Sequence, residues 1–136
     1  MKKFEKTMLV VSDYAGVRPD KKLNIDGTFE TIYATNLPAM HKSLYLVGIF
    51  SVDDNSLEKI FLNIDLLNAK GESIVENKMP PLEIVLSKTN RKVRFFNIVV
   101  NVNDILFKEY GEYKFTARVG EDVIGESLFF VEKPLN

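Results

Sequence analysis

Few residues in this chain could do chemistry. His41 is the only histidine and there is no cysteine. Their scarcity removes thiol nucleophiles, disulfides, iron–sulfur clusters, cysteine-based zinc sites and multi-histidine metal centres. A lone imidazole can serve as a general base when a carboxylate orients it and a nucleophile lies in reach. His41 follows Leu37-Pro38-Ala39-Met40, and its nearest hydroxyl neighbour is Ser43, with no nucleophile elbow around it. One of the acids Asp13 or Asp26 would have to meet it in a pocket, so His41, Asp13 and Asp26 are the weak ligand or enzymatic candidates. Against it stands the ordinary role of a loop histidine as a surface residue or cap. No catalytic residue is therefore assigned.

Metal and phosphate chemistry fare no better. Asn24-x-Asp26-Gly27 has the look of a calcium loop, but the first ligand would fall on Lys22 and the bidentate acid on Tyr33, so it reads as a turn. Asp53-Asp54 and Glu121-Asp122 would bind a cation only if folding brought them to one rim; otherwise they are solvated turns. Lys88-Thr89-Asn90-Arg91-Lys92-Val93-Arg94 is the one basic cluster. No aromatic interleaves it, and it reads as a solvated loop flanking a strand rather than a nucleic-acid site. The seven glycines form neither G-x-G-x-x-G nor a Walker pattern. No cofactor and no nucleic-acid partner are expected.

The elements that would position these residues are strands. With 136 residues, 46% hydrophobic and a net charge of -1, the chain fits one domain over residues 1–136, with 1–6 as a flexible or edge segment. In Lys59–Leu66, Ile60, Leu62, Ile64 and Leu66 share a face against Lys59, Asn63 and Asp65, the period of two of a half-buried strand. Arg94–Val102 repeats it with Phe96, Ile98, Val100 and Val102, and Glu112–Val119 with Tyr113, Phe115, Ala117 and Val119. Leu44–Val52 is apolar on both faces, as a central strand covered twice would be. Thr7–Ser12, Thr28–Ala34, Ser73–Lys78 (an edge strand ended by Pro80-Pro81) and Val123–Glu132 complete the set. Turns are expected at Asp26-Gly27, Asp53-Asp54-Asn55, Asn68–Gly71 and Gly120-Glu121-Asp122. Spacings near ten residues predict an all-β, antiparallel, immunoglobulin-like sandwich of about 7–9 strands. At most one short helical turn fits, in Asn103–Tyr110 with Gly111 as its stop.

Ile105-x-x-x-Glu109-x-Gly111-x-Tyr113-x-Phe115 resembles the approach to the penultimate strand of immunoglobulin-like sandwiches. There a tyrosine hydroxyl ties the strand to the preceding loop, the tyrosine corner. Glu109, Gly111 and Tyr113 would form that corner. Phe115 would stand where antibody domains carry a cysteine.

Longer motifs carry a second resemblance. Ser12-Asp13-Tyr14-Ala15-x-Val17, Lys22-Leu23-Asn24-Ile25-x-Gly27-x-Phe29-x-x-Ile32, Leu37-Pro38-Ala39-x-His41 and the closing Gly111-x-Tyr113-x-Phe115 together resemble an uncharacterised prokaryotic β-sandwich family of unknown function. The resemblance spans nearly the whole chain and implies the sandwich, with no activity or catalytic residues to carry over. Asp26 departs from it, standing where an apolar residue is expected.

These readings point to a non-catalytic cytoplasmic binding or interaction module. No signal peptide pattern is present, and no run approaches the ~18 apolar residues of a membrane span. The alternatives are a carbohydrate or small-molecule binder using Tyr14, Tyr33 or Tyr45, and an enzyme built on His41. The expected partners are an unknown protein or a second copy. Phe61 and Leu67 on one strand and Phe95 and Val99 on another would form an apolar centre rimmed by Asn63, Asn97 and Asn101, the composition of a homodimer interface. If the two strands lie in different sheets, that patch splits.

Overall fold

The computed structural model describes residues 3–75 and 79–135, and within them every regular element is a strand. Four strands, β1 (Phe4–Val17), β2 (Leu23–Phe29), β4 (Ala39–Asp53) and β7 (Val93–Phe107), form one sheet in the order β2-β1-β4-β7. The other five, β3 (Thr31–Tyr33), β5 (Lys59–Leu67), β6 (Leu82–Val85), β8 (Gly111–Val119) and β9 (Asp122–Glu132), form the second in the order β3-β9-β8-β5-β6. The sheets face each other as an immunoglobulin-like β-sandwich. Every strand pair is antiparallel except β3 with β9, which is parallel.

Alternation builds the core. On β5, Ile60, Leu62, Ile64 and Leu66 are buried while Phe61 and Asn63 are exposed. Tyr113, Phe115 and Ala117 of the neighbouring β8 point the same way, and Phe96, Ile98 and Val102 of β7 join the core from the other sheet. Ser127, Phe129 and Val131 fix the inward register of β9. One end of the core is aromatic: Tyr113 meets Phe107 edge-on at 4.8 Å and stacks on Phe129 at 5.8 Å. Near the other end Phe50 stacks on Phe96 at 5.4 Å. Two glycines let the sheets close there. A Cβ on Gly48 would lie 2.9 Å from Leu9, and one on Gly125 would lie 2.9 Å from the Phe50 ring.

The elements depart from the sequence pattern in four places. Asn103–Tyr110 holds no helical turn: β7 runs on to Phe107, and the unusual backbone there is Asp104 at φ 53°, where the buried positions switch parity from Val102 to Ile105. Thr28–Ala34 is two strands rather than one, because the chain leaves the first sheet at Phe29 and enters the second at Thr31. Asp26-Gly27 is not a turn but an irregularity inside β2; Gly27 takes φ 71°, and a Cβ on it would lie 2.6 Å from the Asp13 carboxylate. The edge strand is Leu82–Val85, after the proline pair. Of Ser73–Lys78, Ser73 makes a single bridge to Leu67, and residues 76–78 lie outside those described. Phe4–Lys6 pair with β4 and extend β1 towards the chain start, so this part of 1–6 takes the edge form of the two expected. Residues 1 and 2 lie outside those described.

Candidate functional site

The four candidate interface residues divide between two surfaces. Phe61 and Leu67 of β5 lie on the outer face of the five-stranded sheet, and Phe95 and Val99 of β7 on the outer face of the four-stranded sheet. They form no single patch, because β5 and β7 belong to opposite layers.

The two outer faces differ in chemistry. On the five-stranded sheet, Lys59, Glu83, Asp65, Lys114, Arg118, Glu112 and Glu126 point outward, and two pairs of them form ion pairs, Lys59–Glu83 at 3.4 Å and Lys114–Glu126 at 2.8 Å. Phe61 sits among these charges with the Lys59 ammonium 5.7 Å from its ring centre. On the four-stranded sheet, successive cross-strand rows are Met8 with Ile49 and Asn97, Val10 with Val47 and Val99, and Ser12 with Tyr45 and Asn101. None of these nine is charged. Phe95, 56% exposed, extends the face at one end beside Ser51.

Val47 lies on this outer face yet is fully buried. Its outward direction follows from Gly48, whose added Cβ would meet Leu9, Phe50 and Ile98 in the core, and from its absence from the core cluster. Ser12, also fully buried, donates its hydroxyl to the Tyr14 carbonyl at 3.1 Å. The rings of Tyr14 and Tyr45 meet edge-on at 5.3 Å beside it. Tyr33 is on β3 in the other sheet, so the three tyrosines form no common platform.

His41 is half-buried at one end of β4, with the Phe29 ring 6.3 Å away. Neither Asp13 nor Asp26 pairs with it: among the described residues no ion pair, drawn to 4.0 Å, includes His41. Asp26 pairs across β1 with Tyr14, and the Asp13 carboxylate lies against Gly27. A cleft of about 810 Å³ opens between the end of β7 and the segment after β5, with Met40, Ile74 and Met79 beside Glu72, Asp104 and Lys108 on its walls. Among the described residues, no three histidines or acids gather as metal ligands.

The proposed corner is organised by one bond. The buried Tyr113 hydroxyl donates to the Glu109 carbonyl at 2.7 Å, and Gly111 between them takes φ 131°. Burial raises the Tyr113 pKa above its ordinary value, with the Glu109 charge adding to it. A second phenol, Tyr110, donates to the Ala34 carbonyl at 2.8 Å and ties the same loop to the end of β3. At the other end of the sandwich, Lys3 at 2.8 Å and the hydrogen bonds from Ser56 hold the Asp54 carboxyl well below the usual carboxylate range.

A family model described as a family of unknown function, DUF6941, matches residues 7–132. The chain belongs to that family. No curated protein matches it. Among solved structures, a β-glucosidase from Listeria innocua in complex with isofagomine aligns at TM-score 0.50 and 10% identity, over 98% of this chain and 16% of that one. The alkylpurine DNA glycosylase AlkC of Pseudomonas fluorescens, bound to DNA with an abasic site analogue, aligns at 0.47 and 10% identity, over 96% of this chain and 31% of that one. An immunoglobulin-like protein from Pseudomonas aeruginosa aligns at 0.40 and 14% identity, over 96% and 97%. The chain thus spans about a third and a sixth of the glycosylase and the glucosidase. Likeness at such identities concerns the fold. Among the described residues no helix is long and apolar enough to cross a membrane.

The sequence pattern missed that Met8, Val10, Val47 and Ile49 point to the outer side of the sandwich. The signal for Val47 and Ile49 was the doubly apolar run Leu44–Val52, and that for Met8 and Val10 the apolar run within Thr7–Ser12; each belongs to a strand whose second face lies on the outside of the sandwich.

Proposed function

We propose that the chain is a non-catalytic interaction module of the cytoplasm. Its binding surface is the outer face of the four-stranded sheet, and its partner is a second copy of itself. The observation that carries this is the uncharged apolar middle of that face, Met8, Val10, Val47, Ile49 and Val99, set against the charged outer face of the other sheet. The three central rows carry no charge and can meet their own copy under two-fold symmetry with no like charges opposed there, while Glu5 beside Ser51 and Asp26 beside Tyr14 lie at the margins. Asn97, Asn101 and Tyr14 at its margins supply a polar rim. Strand spacings of ~4.8 Å and a rise of ~3.3 Å per residue give the paired part of this sheet a footprint of about 600 Å². The three uncharged rows make up about 300 Å² of it by the same spacings, so an interface of the standard ~800 Å² per partner would take in the margins of the sheet as well. The absence of cysteine suits a reducing compartment.

Sedimentation equilibrium at high micromolar concentration tests this. The expected mass is twice the 15.5 kDa of the chain, returning to monomer in Val99→Lys with an unchanged circular dichroism spectrum. A wild-type protein that stays monomeric at that concentration overturns the reading.

A further inference from the structure

The basic cluster of the sequence ends in a buried charge. Arg94 is the first inward position of β7 after Val93, in the register of Phe96 and Ile98, and only 5% of it is exposed. Its Nη2 donates to the backbone carbonyl of Asp54. Its Nε is buried and has no partner, and among the described residues no ion pair includes it. Neither nearby carboxylate pairs with it: Asp54 is taken by the Lys3 ammonium at 2.8 Å and by the Ser56 hydroxyl, and Asp53, whose Oδ1 is also buried, lies 3.8 Å from the Lys92 ammonium and forms no ion pair with Arg94. A guanidinium carries five donors and is always charged. Burying it without a counter-charge is expensive, so a fold that keeps it there calls for an anion.

A cleft provides the place. About 340 Å³ opens between the β4–β5 turn, the end of β6 and the start of β7, and Arg94 lines it together with Lys88, Thr89, Asn55, Leu57 and Leu86. That volume is at the small end of ligand sites. Lys88 brings a second positive charge. The Thr89 hydroxyl accepts the Arg91 N–H at 3.3 Å, which leaves its own proton free to donate. Glu58 also lines the cleft and opposes an anion, but Lys88 offsets it and leaves the Arg94 charge in excess. Leu57, Leu86 and the 76%-exposed Val85 give one apolar wall.

We infer that this cleft binds a phosphoryl group, with the Arg94 guanidinium as its buried anchor and Lys88 and Thr89 as donors at its mouth. Arginine's planar fork matches phosphate oxygens, and charge-assisted bonds of this kind are strong. The site lies at the β4–β5 end of the sandwich and does not depend on the sheet-face reading above.

The test is a titration of the full chain with inorganic phosphate, followed by thermal unfolding and calorimetry against sodium chloride at matched ionic strength. A saturable rise in Tm is expected with phosphate and not with chloride. Lys88→Ala should weaken phosphate binding about tenfold, as loss of one charge-assisted bond would, while leaving the phosphate-free Tm unchanged. Arg94→Met should abolish the response and leave the phosphate-free protein at least as stable, since an uncompensated buried charge is gone. If Arg94→Met does not fold, Lys88→Ala and Thr89→Ala still decide. Phenyl phosphate binding tighter than inorganic phosphate identifies an organic phosphate that uses the Leu57–Leu86 wall, whereas equal affinity identifies the free ion. No saturable rise in the wild type, or a rise unchanged in Lys88→Ala, overturns the proposal.

Discussion

The Tyr113 hydroxyl and the Glu109 carbonyl, 2.7 Å apart, close the loop that carries the chain from one sheet to the other. The phenol belongs to the aromatic end of the core, edge-on to Phe107 and stacked on Phe129, so the loop is tethered by a side chain that packing already immobilises. Tyr113→Phe keeps the ring and strands the carbonyl. The expected loss is about 1–3 kcal/mol, the cost of an unpaired buried acceptor, read as a lower midpoint in urea with an unchanged m-value. The pH dependence has a definite sign. Because burial raises the folded pKa above 10.0, the stability tied to the neutral phenol is complete below about pH 10 and is lost as pH rises through the folded value. The gap between wild type and Tyr113→Phe should therefore narrow in strong base; a gap of constant size would argue against a buried phenol.

The opposite limb of the pH profile rests on Asp54. Its carboxyl titrates below its ordinary 3.8, held down first by Lys3 and then by Ser56. A depressed folded pKa gives stability that is present above about pH 4 and disappears as pH falls through the folded value. Lys3 is about half exposed, so salt screens the pair and its contribution is modest. Asp54→Asn should unfold earlier than wild type at pH 7, and the two should converge in acid. Parallel curves from pH 7 to pH 2 would contradict the assignment.

Gly125 lies over the Phe50 ring, and a Cβ there would come within 2.9 Å of Cε1 and 3.2 Å of Cζ. Phe50 cannot yield cheaply, being fully buried and stacked on Phe96. Gly125→Ala is expected to destabilise by roughly 1–3 kcal/mol through overpacking. Gly71→Ala serves as a contrast, since its added methyl meets no atom within 4 Å and its cost comes from φ 81° alone. Equal stability of wild type and Gly125→Ala would show that the sheets can part at this point.

The sandwich was legible where one face of a strand is polar. On β5, the contrast of Ile60, Leu62, Ile64 and Leu66 with Asn63 and Asp65 leaves one way to bury the strand, and β7 and β8 follow the same rule. Arg94 was legible in the same terms, as it shares parity with Phe96 and Ile98, although its place in a basic run suggested a solvated loop. Gly27 was misread because a tight turn and a strand irregularity both need a positive φ, and composition does not separate them. The split at Glu30 could not be read either, since a short apolar run does not reveal that its two halves serve different sheets. Spatial meeting was the least visible property. Phe61 and Phe95 follow the same outward pattern on their strands, yet only the sheet order places them on opposite sides of the molecule.

That separation yields the sharpest mutational contrast. If the chain pairs through the four-stranded face, Phe95→Asp replaces its exposed aromatic with a second negative charge in the row of Glu5 and Ser51 and should raise the dissociation constant at least tenfold. Phe61→Asp, on the charged outer face of the other sheet, should leave it unchanged. Both residues are about half exposed, so neither substitution empties the core, and both variants should retain wild-type circular dichroism. Salt adds an independent reading. An interface whose centre carries no charge should hold its affinity between low and high ionic strength, because there is little for salt to screen. Light scattering across a dilution series measures all three quantities. Monomerisation by Phe61→Asp with Phe95→Asp unaffected would move the interface to the five-stranded sheet, where the Lys59–Glu83 and Lys114–Glu126 pairs would then make association salt-dependent.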